Sequence, residues 1–138
     1  MAQEALTADT GAIVPSLVRW HPLHGPAAEL LRGTRRVPAQ ALAQSFSLLT
    51  RLPAPYTLQA AQAHAVLLHA FPDEPISLDA AGLLEALQRL ARAGLGGGRV
   101  YDALVAASAA RAGLKLVSAD RRALPRHALV GCEAQLLA

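Results

Sequence analysis

The sequence predicts an α/β fold, a mainly parallel β-sheet flanked by helices. Three observations predict it. Short β-rich runs alternate with longer amphipathic stretches, the pattern of strands connected through helices. Helices outnumber strands along the chain. The 138 residues are 53% hydrophobic but only 4% aromatic. That supplies one compact core made of Leu, Val, Ile and Ala.

"EALTA" (4–8) reads as the first strand and stops at Asp9. "TGAIVPSLVRW" (10–20) follows as a short helix with Thr10 near its cap, then "HPLHGPAAELLRG" (21–33) as a helix closed by Gly33. "RRVP" (35–38) is expected as a short strand. "PAQALAQSFSLLTRLP" (38–53) is a helix pattern with an apolar stripe of Leu42, Phe46 and Leu49, and with Gln40, Gln44, Ser47 and Arg51 facing outward. "PYTLQAAQAHAVLLHAF" (55–71) is a helix with Thr57 as its expected cap, and "EPISL" (74–78) a short strand. Asp79 caps the next helix, whose buried face is expected to carry Leu83, Leu84, Leu87 and Leu90. After the loop "LGGG" (95–98), "RVYDALVAASAARAG" (99–113) is apolar on nearly every side and should be buried. "LKLVSA" (114–119) is a strand ending at Asp120, "RRALP" (121–125) a turn or short helix, and "HALVGCEAQLL" (127–137) holds a last strand.

Composition excludes several classes. Cys132 is the only cysteine, so no intrachain disulfide forms and a reducing, cytoplasmic setting is expected. No basic stretch leads into a long apolar run, so no signal peptide is expected. No run approaches the ~20 apolar residues of a membrane span. The net charge of +3 comes almost wholly from arginine, Lys115 being the only lysine. By itself that excess is too mild to name a polyanionic partner. "GLGGGRV" (94–100) follows no strand and brings no P-loop lysine, so it reads as a connection, not a nucleotide cradle. His21 and His24 are separated by Pro22 and lack further ligands, which argues against zinc. His64 and His69 read as solvated, Trp20 as packing, and Cys132 as a small buried apolar residue.

The chemistry is carried by three aspartates. Ligands gather at the carboxyl ends of strands in parallel sheets. Asp9 and Asp120 each lie just past a strand, and Asp102 lies in the first turn of the helix that feeds the second of them. Taken singly, each has an ordinary explanation as a helix cap or a dipole partner. Together they converge on one edge, where mutual repulsion calls for a cation. Oxygen ligands suit Mg²⁺ or Mn²⁺, which activate water and stabilise a phosphodiester in flight. Thr10 and Ser118 stand beside these acids and could hold a water.

"TADTGAIVPSL", "RVPAQALAQSFSLLTRLP" and "GGGRVYDALVAASAARAGLKLVSADRRAL" resemble the PIN domain, and more narrowly the VapC toxins of bacterial toxin–antitoxin pairs. The resemblance runs over nearly the whole chain, with residues 1–4 as an N-terminal extension of a single domain. It implies a PIN-like three-layer fold and a Mg²⁺-dependent (or Mn²⁺-dependent) endoribonuclease acting on structured RNA such as tRNA or rRNA. It also implies a homodimer neutralised by a cognate VapB-type antitoxin. It implies that Asp9, Asp102 and Asp120 carry the metal, and that a glutamate usually stands where this chain has Gln44. An amide keeps an oxygen acceptor and loses a charge worth at most several kcal/mol at an effective dielectric of about 20. The alternative is therefore a PIN fold that grips RNA and antitoxin with reduced or no cutting. A small-molecule phosphohydrolase using the same acids is the other rival. Arg51, Arg99 and Arg121 flank the acidic edge and are the expected phosphate contacts.

Overall fold

A computed structural model describes residues 5–137; the expected extension at 1–4 lies outside them. The elements follow in the order β1 (Leu6–Ala8), α1 (Thr10–Leu17), α2 (His24–Leu30), α3 (Ala39–Leu49), α4 (Ala60–Ala70), α5 (Ala80–Arg92), α6 (Arg99–Arg111), β2 (Lys115–Ser118), α7 (Leu124–Leu129) and β3 (Ala134–Leu136). One turn of 3₁₀ helix, Arg121–Ala123, leads into α7.

The three strands form one sheet in the order β1–β2–β3, and both pairings are parallel. Leu6 pairs with Lys115 and Ala8 with Val117, which brings the carboxyl ends of β1 and β2 side by side. α1 and α6 both pack on β2, and α3 packs against each of them. The core is aliphatic, as the composition requires: Ile13, Val37, Leu49, Leu90, Leu116 and Val117 are fully enclosed, with alanines filling the closest approaches. Cys132 is buried, and burial pushes its thiol up to about 11, so it is an inert apolar side chain.

Several expectations need correcting. The segments at 35–38 and 74–78 are not sheet strands. They run side by side through a single bridge, Pro38 with Ile76, supported by Ile76 N–H donating to the Val37 carbonyl and Ala39 N–H to the Ile76 carbonyl. The pairing goes no further because the chain turns into α3 at Ala39. Asp9 is the cap of α1, with Thr10 beside it as the first helical residue. α4 begins at Ala60, where the Gln62 side chain accepts from the Gln59 N–H, 2.9 Å. Thr57 caps nothing; its hydroxyl donates to the Leu52 carbonyl. The buried stripe of α3 is Ala41, Ser45 and Leu49, and Phe46 is exposed.

The largest correction concerns α5. Asp79 does cap it, accepting from the Gly82 N–H at 2.7 Å. Its buried stripe, however, is Gly82, Ala86 and Leu90, while Leu83, Leu84 and Leu87 face outward. α5 packs on α6, and Arg111 of α6 reaches across to pair with Asp79. A Cβ at Gly82 would lie 3.0 Å from both the Arg111 guanidinium and the Asp79 carboxylate. A larger residue at position 82 would have to push that ion pair aside.

Candidate active site

The residues past the carboxyl ends of β1 and β2 form one cleft of about 410 Å³. Asp9, Thr10, Gln44, Asp102, Asp120 and Arg122 line it, with Gly11, Val105 and Ala119 completing the wall. The sheet register places Asp9 beside β2, where its N–H donates to the Val117 carbonyl, 3.2 Å. Asp102 enters from the first turn of α6. Gln44 enters from the second turn of α3, where its amide oxygen accepts from the Thr10 hydroxyl at 3.2 Å.

The local capping roles are also real. Asp9 accepts from the Ala12 N–H at 3.1 Å, and Asp120 accepts from the Arg122 N–H at 3.0 Å. Capping fixes the direction of each carboxylate without consuming both of its oxygens. Ser118 sits fully buried beneath the pair. Its hydroxyl hydrogen-bonds Asp9 and accepts from the Asp120 N–H at 3.2 Å. It therefore holds two acids rather than lining the opening.

Burial pushes the Asp9 carboxyl from an ordinary 3.8 up to about 6. Within that shift the charges of Asp102 and Asp120 also push upward, against the lowering effect of the Ser118 hydroxyl and the Ala12 N–H. Asp102 and Asp120 meet a cation instead. Arg126 Nη2 is 3.1 Å from Asp102 Oδ2 and 3.9 Å from Asp120 Oδ2. Beside Arg126 on α7, His127 is buried, and desolvation holds its imidazole below the usual value.

The arginines expected to contact phosphate are placed differently. Arg51, Arg99 and Arg121 are exposed, and none of them lines the cleft. Arg51 folds back on its own helix, its Nε donating to the Ser47 carbonyl at 3.3 Å. The arginines at the acids are Arg122, with Nε 3.7 Å from Asp120 Oδ1, and Arg126. Arg126 was invisible in the sequence as a site residue. The available signal was its place four residues after Arg122, which puts both on one face only if residues 121–129 stay helical.

Among the described residues, no group of three or more His, Cys, Asp or Glu side chains is gathered closely enough to hold a metal ion as it stands. The donors present are nevertheless carboxylate, amide and hydroxyl oxygens, the set a hard divalent cation takes. The charges of Asp102 and Asp120 repel the ionised Asp9, a repulsion that a cation among the three would relieve. The residues fit such an ion in kind and in charge, with Asp102 and Asp120 closed on Arg126 instead.

Residues 7–129 match the PIN domain. Ribonuclease VapC40 of Mycobacterium tuberculosis (strain ATCC 25618 / H37Rv) is 33% identical over 129 residues, covering 94% of this chain and 96% of the relative. Ribonuclease VapC27 of the same strain is 36% identical over 129 residues, covering 91% and 92%. The chain belongs to the PIN-domain family and, within it, to the VapC ribonucleases. No helix among the described residues is long and apolar enough to cross a membrane.

Proposed function

We propose that this protein is the toxin of a toxin–antitoxin pair, an endoribonuclease that uses a divalent metal, Mg²⁺ or Mn²⁺, to hydrolyse structured RNA such as tRNA or rRNA. The observation that carries the reading is the meeting of Asp9, Asp102, Asp120 and Gln44 in one cleft at the carboxyl edge of a parallel sheet. Asp9, Asp102 and Asp120 are the residues that would hold the metal. When bound, the ion supplies acidity for a water and positive charge for the phosphodiester under attack. Ser118 holds Asp9 and orients the backbone of Asp120, and the N–H groups of Ala12 and Arg122 fix the carboxylate directions. Thr10 and Gln44 present a hydroxyl and an amide to the same cleft, fitted to orient a water. Hydrolysis joins the water oxygen to phosphorus as the bond to the leaving oxygen breaks. Arg122 at the cleft and Arg51, Arg99 and Arg121 outside it are offered as phosphate contacts.

A VapB-type antitoxin and a second copy of the chain are the proposed partners, in the cytoplasm. The outward leucines of α5 offer an apolar face for the copy. Trp20 and Tyr56, each about half exposed with ring centroids 4.5 Å apart, flank an apolar groove lined by Leu17, Leu49, Leu52 and Leu58 that suits an antitoxin segment.

Gln44 supports a second reading, an RNA- and antitoxin-binding protein with reduced or no cutting. The test is incubation of the chain with an RNA mixture and Mg²⁺ or Mn²⁺, beside an EDTA control and Asp120→Asn. Cleavage that needs the metal and is lost in the variant supports the nuclease. RNA retained uncut, with cutting restored by Gln44→Glu, supports the second reading. Neither cleavage nor retention removes both.

A further inference from the structure

Arg126 is the buried member of its ion pairs. Its side chain is 15% exposed, whereas Asp102 and Asp120 are 51% and 47% exposed. One guanidinium nitrogen bridges two acids that lie on separate elements, α6 and the turn after β2. Nη1 donates to the Arg122 carbonyl at 3.4 Å, and Nε is buried without a partner. A guanidinium with an idle buried donor is not placed there by its own hydrogen-bond needs. What holds it is charge, since the cleft gathers three carboxylates. Arg122 adds little to the neutralisation, because its side chain is 92% exposed and its Nε lies 3.7 Å from Asp120.

Arg126 thus stands where the acids of the cleft call for a cation. A guanidinium and a divalent ion cannot both pair closely with the same two carboxylates without strong mutual repulsion. We propose that Arg126 is a resident counter-cation that competes with the divalent metal for Asp102 and Asp120, so that metal binds only as Arg126 is displaced. The inference rests on the reading of these acids as the metal site. It makes Arg126 a positioning residue: it keeps the two acids together in the metal-free chain and lowers the metal affinity.

The test is calorimetric titration of the full chain with Mn²⁺ alone, without RNA, for wild type, Arg126→Met, Arg122→Met and Asp102→Asn. Methionine keeps the aliphatic stem and removes the charge. Arg126→Met is expected to bind Mn²⁺ about tenfold more tightly, and Arg122→Met within about twofold of wild type. Equal or weaker binding by Arg126→Met, with Asp102→Asn still weakened, overturns the proposal and leaves the metal-site reading standing. Binding that Asp102→Asn does not change, or no binding in any chain, overturns that reading and the proposal with it. A measurement on wild type guards against misfolding of the variant. During a Mg²⁺ titration, the Arg126 Nε–Hε resonance is expected to shift with the same midpoint as the Asp102 and Asp120 amides. An Arg126 resonance unmoved while those amides saturate overturns the competition.

Discussion

Thr10 Oγ1 donates to Gln44 Oε1 across 3.2 Å, joining the first turn of α1 to the second turn of α3 at the mouth of the acidic cleft. A glutamate at 44 would accept the same bond while adding a fourth negative charge. Gln44→Glu is therefore expected to keep the fold and to lower metal-free stability near pH 7 by on the order of 1 kcal/mol. The same variant should raise Mn²⁺ affinity. Thermal unfolding with EDTA and with Mn²⁺ measures both. A variant identical to wild type in both conditions removes position 44 from the metal's surroundings.

The Asp9 carboxyl titrates near 6 in the folded chain, against 3.8 ordinarily. Between those values the folded state holds a proton that the unfolded state has lost. Stability therefore falls as pH rises through that window and stays lower above it. Asp9→Asn keeps an oxygen to accept from the Ala12 N–H. It should stabilise the metal-free protein by on the order of 1–3 kcal/mol at pH 7.5, with the gain vanishing near pH 4. Urea unfolding in EDTA at the two pH values checks it. A gain of equal size at both would mean that ionisation of Asp9 is not its source.

Ser118 is fully buried and serves both acids. Ser118→Ala strips Asp9 of a bond that favours its charged form and leaves the Asp120 N–H without its acceptor. The expected loss is about 1–2 kcal/mol. It should be greater at pH 8 than at pH 4, because the missing bond matters most to the ionised carboxylate. An NMR titration of Asp9 should show its pKa above 6 in the variant. An unmoved Asp9 would confine the serine to packing.

The outward leucines of α5 separate stability from assembly. Leu90 is 2% exposed, and Leu90→Ala should cost about 2–4 kcal/mol in urea unfolding. Leu84 is 67% exposed, and Leu84→Lys should change subunit stability by less than about 0.5 kcal/mol. If α5 seats the second copy, Leu84→Lys lowers the mass seen by light scattering from dimer to monomer. A dimer that survives the charge places the interface elsewhere.

Much of the site could be read directly. Asp9 and Asp120 follow strands, and parallel pairing of those strands puts the strand ends on one edge whatever the loops do. Asp102 follows because the helix feeding β2 must start at that edge. Gln44 was another matter: its periodicity put it on an outward face, and only the likeness to VapC sequences gave that face a purpose. Arg51, Arg99 and Arg121 lie outside the cleft itself, because flanking an edge in sequence says nothing of where a long, flexible side chain ends. Arg51 lies on its own helix, while Arg126, two turns further along than Asp120, comes back to it.

The sequence by itself determined the succession of helices α1 to α6, the parallel sheet and the convergence of three acids. These follow from local periodicity, capping chemistry and the geometry of strand–helix–strand connection. Tertiary structure alone decided which face of an amphipathic helix is buried. In α5 three of the four leucines stay outside while Gly82 and Ala86 go inside with Leu90, and at Gly82 the Arg111–Asp79 pair leaves little room for a side chain. It alone decided that 35–38 and 74–78 stop at a single bridge, where the chain turns into α3 at Ala39. It alone decided which charge answers the acids. Attraction between charges acts through space, and the chain brings Arg126 to Asp102 across 24 positions of sequence.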